Sequence, residues 1–238
     1  MLYLIGLGLN EKGISLEGIE SIKKCKKIYL EIYTIDFPYS IDKLEREIGK
    51  KVIKVYRKDV ESEKLIKEAK NENIALLIYG CPLFATTHIS IIMDCLKNKV
   101  KYQVIYSASV FDAIAESGLQ LYKFGKISSM PKWQKNFTPD SFLEFVEQNS
   151  SIKAHSVILV DIGLEIEDAL NQLEISCKNR SFDLNKILVC CSLGTKESEF
   201  YYGNIDSIRK KIKNINSPYC FVIPGEMHFI EKESIERF

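Results

Sequence analysis

Three short turns hold the residues whose types and spacing could support chemistry. They are IGLGL at 5–9, YGCPLFATTH at 79–88 and YSASVFDA at 106–113, and each contains or directly follows the end of an apolar run. Glycine, serine and alanine at a strand end let a ligand approach the backbone closely. Because open α/β sheets bind ligands at the carboxyl ends of their strands, the three turns together predict one shared crevice.

The first turn carries part of the G-x-G-x-x-G fingerprint of dinucleotide-binding proteins. Gly6 and Gly8 fit that fingerprint, and Glu31, near the end of the second predicted strand, stands where an acid could hydrogen-bond a ribose. Glu11 occupies the place of the third glycine, and its carboxylate would face the pyrophosphate. We therefore expect a glycine-turn site for a ligand without phosphates rather than a site for NAD.

The second turn is expected to be tight, because it contains Gly80 and Pro82. Thr86 or Thr87 could cap the helix that follows and so leave backbone amides exposed to a ligand. An ordinary loop with a helix cap would produce the same pattern, so this turn alone does not separate the two interpretations.

The sequence contains no recognisable arrangement of residues for acid–base catalysis or for metal binding. The histidines, at 88, 155 and 228, are scattered, and we expect each to be a capping or packed residue. No Ser-His-Asp order and no metal-ligand spacing is present, so we assign no catalytic residue and no metal site. A site rich in backbone contacts and poor in acid–base groups suits a reaction whose cofactor carries the chemistry.

The composition excludes several other classes of protein. The 238 residues include 33 Lys plus Arg against 32 Asp plus Glu and are 46% hydrophobic, as in soluble globular proteins. A net charge of +1 argues against a dedicated nucleic-acid binder, which would carry a basic excess. Apolar runs such as 75–79 are far shorter than the ~20 residues that a bilayer requires, so we expect no membrane partner.

Cysteine usage and the first residues both point to the cytoplasm. The seven cysteines are irregularly spaced without a C-x-x-C pair, and we expect them to be reduced thiols that pack as small hydrophobes. The opening MLYLIGLGL lacks a basic segment and a small-residue cleavage site, so it predicts a first strand rather than a signal peptide. We expect a cytoplasmic protein.

Strands alternate with amphipathic helices along the chain, and near residue 110 the pattern starts again. This alternation predicts an α/β protein with two domains, 1–110 and 111–238, built on mostly parallel or mixed sheets. The predicted strands are 2–5, 27–33, 52–55, 74–79, 102–106, 126–129, 156–161, 187–192, 200–202 and 220–223. The predicted helices are 15–25, 41–48, 62–71, 86–97, 109–117, 138–148 with a Thr138 cap before Pro139, 165–177 and 205–212.

Four stretches of this sequence closely resemble the diphthine synthases, which belong to the tetrapyrrole-methylase class. They are MLYLIGLGLNEKGISLEGIESIKKCKKIYLEIYT at 1–34, GCPLFATTH at 80–88, SASVFDAIAESGLQLYKFG at 107–125 and HSVILVDI at 155–162. The string GLQLYKFG is the most specific, because the wider class shares the fold but not this string. The resemblance is strong over 1–162 and weak over 187–230, where CFVIPGEMHFIE carries it.

The resemblance implies a two-domain, tetrapyrrole-methylase-like α/β homodimer that binds S-adenosylmethionine in a cleft between its domains. Members of this family methylate the amine of a carboxypropyl-modified histidine on translation elongation factor two, and S-adenosylhomocysteine is the other product. The implied cofactor contacts, carried over by motif, are Leu9, Cys81, Phe84, Ser109, Val110 and Val160, with Gly194 and Tyr219 from the weaker carboxyl-terminal match.

One departure from the family pattern bears directly on the implied function. The family usually has G-D-P at 80–82, whereas Cys81 replaces the aspartate here. An aspartate could hold a polar or cationic part of the cofactor, and a thiol forms only weak hydrogen bonds. Two alternatives therefore stay open: a degenerate paralogue that binds the factor or the cofactor without methylating, and a methylase of a tetrapyrrole precursor.

Overall fold

The amino-terminal half of the chain forms a parallel sheet, as the alternation of strands and helices predicts. The structure is a computed structural model that describes residues 1–212, 215 and 217–238. The chain divides into two compact units, Met1–Val110 and Phe111–Phe238, which are described in turn.

The first unit is a five-stranded sheet in the order β3-β2-β4-β1-β5, with all paired strands parallel. Its strands are β1 (Leu2–Gly6), β2 (Lys27–Glu31), β3 (Ile53–Val55), β4 (Ile74–Ile78) and β5 (Tyr102–Ile105). Its helices are α1 (Leu16–Lys23), α2 (Ile41–Ile48), α3 (Arg57–Val60), α4 (Lys64–Asn71) and α5 (Ile89–Lys97). The carboxyl ends of β4, β1 and β5 are therefore neighbours at one edge of the sheet.

Both faces of this sheet are covered, which is why its central strands are continuous apolar runs. Leu4 of β1 and Leu76 of β4 belong to the core on one face. Ile5 and Leu77, one position later on the same strands, belong to the core on the other face. Such burial on both sides fixes the strand ends and, with them, the turns that follow.

The second unit contains a mixed sheet in the order β6-β7-β10-β8-β9. Only β6 and β7 of its paired strands are parallel; the other neighbours are antiparallel. The strands are β6 (Ser128–Met130), β7 (Ser156–Val160), β8 (Ile187–Cys191), β9 (Glu199–Gly203) and β10 (Tyr219–Ile223). The helices are α6 (Val110–Ile114, which begins at the last residue of the first unit), α7 (Phe142–Ser151), α8 (Ile166–Asn179), α9 (Ile205–Lys211) and α10 (Phe229–Ile235). Short 3₁₀ turns follow α6 at Ala115–Ser117 and Leu121–Lys123.

Two predicted helix starts are wrong, and at each a local hydrogen bond occupies a backbone carbonyl of the segment before the helix. The helix expected to begin at Thr138 begins at Phe142, because the Pro139 carbonyl instead accepts the indole N–H of Trp133 at 3.0 Å. Thr86 and Thr87 do not cap α5, which has His88 at its N-cap position. The Thr86 hydroxyl instead donates to the carbonyl of Pro82 at 3.0 Å.

Two helices were not predicted at all. The helix α3 has only four residues, too few for an amphipathic pattern. The helix α10 begins with a capping box, in which His228 and Glu231 satisfy each other's backbone N–H groups, and that spacing is visible in the sequence. Within the described ranges, no helix has the length and apolar character that crossing a membrane requires.

Candidate active site

The three turns singled out by the sequence meet at the carboxyl ends of β1, β4 and β5. The N–H of Leu7 donates to the carbonyl of Ile78 at 2.9 Å and so extends the pairing of β1 with β4. Gly8 and Gly80 then form a two-way bridge, with N···O distances of 3.3 and 2.9 Å. The first two turns are thus joined by hydrogen bonds between their backbones.

Gly6 is the point at which all three turns are closest. A Cβ atom on Gly6 would lie 2.6 Å from the carbonyl oxygen of Gly80 and 3.0 Å from side-chain atoms of both Pro82 and Ser107. Ser107 also donates from its hydroxyl to the carbonyl of Gly13, at 2.8 Å. Only glycine fits between the three turns at position 6, so the crevice depends on that residue.

The implied cofactor residues of the first unit lie on these turns. Leu9 is buried, and its carbonyl accepts the Tyr79 hydroxyl at 2.9 Å. Cys81 is half-buried, and its carbonyl accepts the N–H of Phe84 at 3.2 Å, which closes the second turn. Ser109 is buried, and its Cα lies 4.0 Å from where a Cβ on Gly80 would be. Val110 follows as the first residue of α6 and is half-buried.

The implied residues of the second unit share one end of its sheet. Val160 ends β7, Tyr219 begins β10, and Gly194 follows the end of β8 with a φ of 75°. The register joins Tyr219 to Cys191 and Cys220 to Leu159, so these three positions lie at the same sheet edge. The Tyr219 hydroxyl donates to the carbonyl of Leu164 at 2.7 Å.

Glu31 does not take the place of a ribose-binding acid. It is the last residue of β2, its side chain is buried, and Nε2 of His88 lies 2.9 Å from its Oε2. The N–H of Thr34 donates to its other oxygen at 3.1 Å. The structure therefore supports the expectation that the first glycine turn is not an NAD site. This pairing was not predicted, because nothing in the sequence pattern links Glu31 to His88.

The histidines have the packed and capping positions that the sequence predicted. His88 and His228 stand at helix N-cap positions, and His155 is buried. Burial lowers the pKa of His155, against the opposing effect of its hydrogen bond with Glu231, so its neutral form is favoured. His88 and His155 are buried, and the exposed His228 serves as the side-chain half of a capping box.

Two buried thiols and two buried phenols of the first unit are not activated nucleophiles. Burial raises the pKa of the Cys25 and Cys95 thiols to about 11, so both are protonated at neutral pH. Burial likewise raises the pKa of Tyr39 and Tyr79. Over the described part of the chain, no three His, Cys, Asp or Glu side chains cluster as a metal site would require. The three turns therefore offer mainly backbone groups and small side chains, which can hold and orient a ligand.

The comparisons with known proteins agree with this architecture. The family model for the Tetrapyrrole (Corrin/Porphyrin) Methylases matches residues 1–209. The diphthine synthase of Methanococcus vannielii is 33% identical over 251 aligned positions, which cover 99% of this chain and 98% of that protein. The diphthine methyl ester synthase of Schizosaccharomyces pombe is 42% identical over 168 residues, which cover 69% of this chain and 59% of the yeast protein.

A solved structure extends the similarity to the backbone. A crystal structure of diphthine synthase superposes with a TM-score of 0.90 at 28% identity, covering 100% of this chain and 95% of that one. The two-sheet α/β architecture is thus the fold of that enzyme. With most of the chain matched by the family model and nearly all of it aligned to a relative above 30% identity, this protein belongs to the tetrapyrrole methylases and, among them, to the diphthine synthases.

Proposed function

We propose that this protein uses S-adenosylmethionine to methylate the carboxypropyl-modified histidine of translation elongation factor two. The products are diphthine, an intermediate of diphthamide biosynthesis, and S-adenosylhomocysteine. The observation that carries the proposal is the meeting of the three turns around Gly6, in a chain of the diphthine synthase family. The polar groups of these turns are mainly backbone N–H and C=O groups, which can hydrogen-bond a ligand and fix its orientation.

The proposed cofactor contacts come from both units. In the first they are Leu9, Cys81, Phe84, Ser109 and Val110, and in the second Val160, Gly194 and Tyr219. Gly6 and Gly8 let the turns that carry these contacts pack closely, because a Cβ at either position would lie within 2.8 Å of a backbone carbonyl oxygen. When bound, this cofactor supplies an electrophilic methyl group and its own leaving group.

The work of the protein in this reaction is orientation. In-line displacement requires the amine, the methyl carbon and the sulfur to be aligned, and fixing such geometry accelerates a reaction by several powers of ten. The turns at 80–86 and 107–110, anchored to the ends of β4 and β5, are the rigid elements that would hold the cofactor for it. The attacking amine must be neutral, and the proposal assigns no side chain as its base.

The first experiment is calorimetric titration of the purified protein with S-adenosylmethionine and S-adenosylhomocysteine. Saturable binding of one molecule per chain supports the site, and Ser109→Trp should abolish it by filling the crevice. Unchanged binding by that variant would place the site elsewhere. Mass spectrometry of elongation factor two bearing the carboxypropyl histidine then counts the methyl groups, which separates diphthine from its methyl ester.

Cys81 favours a second candidate function, a paralogue that binds elongation factor two but does not methylate it. The thiol replaces the aspartate usual in the family, and it lies in the turn closed by Phe84. This candidate predicts association with the factor and no consumption of S-adenosylmethionine. Transfer of a labelled methyl group to the factor excludes it.

We also propose that the protein is a homodimer. Ile89, Met93 and Leu96 project from one face of α5 and are 56–59% exposed, although all three are large and apolar. Their spacing of four and then three residues makes a continuous stripe. A second copy of the chain covering this stripe would remove it from water, which is the usual reason for an apolar face on a soluble protein.

The domain assignment, 1–110 and 111–238, and the cytoplasmic location complete the proposal. The division between the two compact units supports the domains, and separate expression of 1–110 and 111–238 would test whether each folds on its own. The seven cysteines are free thiols, six of them buried, which supports a reducing compartment. Fractionation of cells that express a tagged chain would test the location.

A further inference from the structure

A buried acid–histidine pair lies directly beneath the second turn and has no part in the function proposed above. Glu31 ends β2, and His88 stands where the turn enters α5; their side chains are 1% exposed. Because β2 and β4 are adjacent and parallel, the carboxyl end of β2 lies beside the turn that follows β4. The 2.9 Å approach of His88 Nε2 to Glu31 Oε2 therefore joins that turn to a strand outside the three-turn crevice.

The hydrogen-bond partners determine where protons must be. Nδ1 of His88 lies 3.2 Å from the carbonyl oxygen of Pro82, and a carbonyl only accepts, so Nδ1 carries a proton. Oε1 of Glu31 accepts from both the N–H and the hydroxyl of Thr34. Nε2 of His88 and Oε2 of Glu31 lie 2.9 Å apart, and neither buried atom has a well-aligned hydrogen bond to another group within the described residues. The contact with Glu31 is thus the polar contact that the structure gives to Nε2 of His88.

The carbonyl of Pro82 is the point where this link holds the turn. It accepts from both the Thr86 hydroxyl, at 3.0 Å, and His88. The turn also contains Ala85 at a φ of 52°, a left-handed conformation that alanine does not adopt without external constraint. Cys81 and Phe84, the two proposed cofactor contacts of this turn, lie on either side of Pro82 in the chain.

We propose that Glu31 and His88 are positioning residues that hold the turn 81–88 in its cofactor-binding shape. They act through the Pro82 carbonyl and not by touching the cofactor. The ligand-binding part of this inference rests on the proposed function, whereas the clamp on the turn can be measured without any ligand.

Substitutions at Glu31 and His88 can keep or remove the polar contact between the two side chains. Glu31→Gln keeps the geometry, because its amide N–H can donate to Nε2 while its carbonyl oxygen accepts from Thr34. Glu31→Leu and His88→Phe remove the link and leave a buried partner unsatisfied. The matched control is His155→Phe, which breaks the other buried His–Glu pair, in the second unit. That control is expected to lower the melting temperature as the two disruptive variants do.

Two readouts are taken on each folded variant. The first is the Kd for S-adenosylhomocysteine, expected to rise about 10-fold or more in Glu31→Leu and His88→Phe and to change less than about 3-fold in Glu31→Gln and His155→Phe. The second is the rate at which an aromatic disulfide reagent labels Cys81, the one half-exposed thiol among the seven. Its labelling is expected to rise about 10-fold in the same two disruptive variants, because the turn opens more often.

The results distinguish failure of the positioning role from failure of the proposed function. Equal effects of Glu31→Leu and Glu31→Gln, or an equal effect of His155→Phe, would overturn the positioning role, since general destabilisation would then explain the results. Absence of ligand binding by the unmodified protein would overturn the proposed function instead. In that case the thiol-labelling rates still decide whether the pair clamps the turn.

Discussion

Nε2 of His155 lies 3.0 Å from Oε1 of Glu231, and both side chains are fully buried. The other ring nitrogen of His155 accepts the N–H of Gly225 at 2.8 Å, so the ring proton sits on Nε2 and is donated to Glu231. Glu231 also accepts from Lys123 Nζ and from the N–H of Gln120. This carboxylate therefore joins the string 118–125, the most specific part of the family resemblance, to the final helix α10.

This arrangement predicts how stability depends on acidity. Burial alone would raise the pKa of Glu231, but its hydrogen bonds from Lys123, the Gln120 and His228 N–H groups and His155 lower it from 4.5 to about 2. Because the pKa of Glu231 is lower in the folded state than in the unfolded chain, the ionised carboxylate stabilises the fold above pH 4.5. This contribution is lost as the pH falls from 4.5 towards 2. Glu231→Gln should lower the free energy of unfolding at neutral pH by about 3 kcal/mol and flatten this acid limb in urea titrations.

Glu226→Gln is the control for that series. Glu226 forms an exposed ion pair with Lys153, at 2.5 Å, and exposed pairs contribute little to stability. Its unfolding curve should follow that of the unmodified protein across the acid range. If the two variants lost stability equally, the buried network would not be the cause of the acid sensitivity.

Gly125, in the same string, is predicted to tolerate no side chain. A Cβ there would lie 2.1 Å from Oδ1 of Asn149, whose carboxamide is itself fixed by hydrogen bonds to both backbone groups of Lys126 and to Ser156. Gly125→Ala should therefore lower the free energy of unfolding by about 2 kcal/mol or more, from overpacking. Urea unfolding measures the change.

Gly49→Ala provides the comparison. Gly49 has a φ of 67° but no atom within 4 Å of an added Cβ, so the substitution introduces backbone strain alone. Its expected cost is about 1 kcal/mol. A cost equal to that of Gly125→Ala would show that the Asn149 contact does not matter.

Gly6→Ala should disrupt the crevice specifically. Its Cβ would enter the space between the Gly80 carbonyl, Pro82 and Ser107, and backbone cannot move aside as a flexible side chain can. We expect cofactor affinity to fall at least about 100-fold, with a smaller loss of stability, because displaced turns no longer present their donors together. Calorimetry gives the affinity and urea unfolding the stability, with Gly49→Ala again as the control. Unaltered affinity would exclude the three-turn crevice as the site.

Cys81→Asp tests the departure from the family. A carboxylate accepts hydrogen bonds far more strongly than a thiol, so the substitution should tighten binding of S-adenosylmethionine by about 10-fold. Cys81→Ser, of similar size but uncharged, should change the affinity much less. If aspartate weakened binding or left it unchanged, the thiol would not be the reason for any reduced affinity of this chain.

The sequence was sufficient for the strands of the first unit and for the three turns, because apolar runs buried on both faces and glycines at strand ends leave local signals. It was insufficient where a tertiary partner decides. The starts of α5 and α7 instead depend on local side-chain hydrogen bonds to the carbonyls of Pro82 and Pro139, which the helix signals did not indicate. The pairing of Glu31 with His88 and the insertion of β10 between β7 and β8 depend on strand order.

The exposed apolar stripe on α5 predicts which substitution should disrupt the proposed homodimer. Met93 stands at its centre and is 59% exposed, so Met93→Lys would place a charge inside an interface that a second copy covers. The variant should be monomeric by sedimentation velocity at concentrations where the unmodified protein is dimeric, and its melting temperature should become independent of concentration. Ile152→Lys, at another exposed apolar residue, in the second unit, should leave the dimer intact. A dimer that persists in Met93→Lys would place the interface on another surface, since a charged side chain without a partner cannot be buried there at low cost.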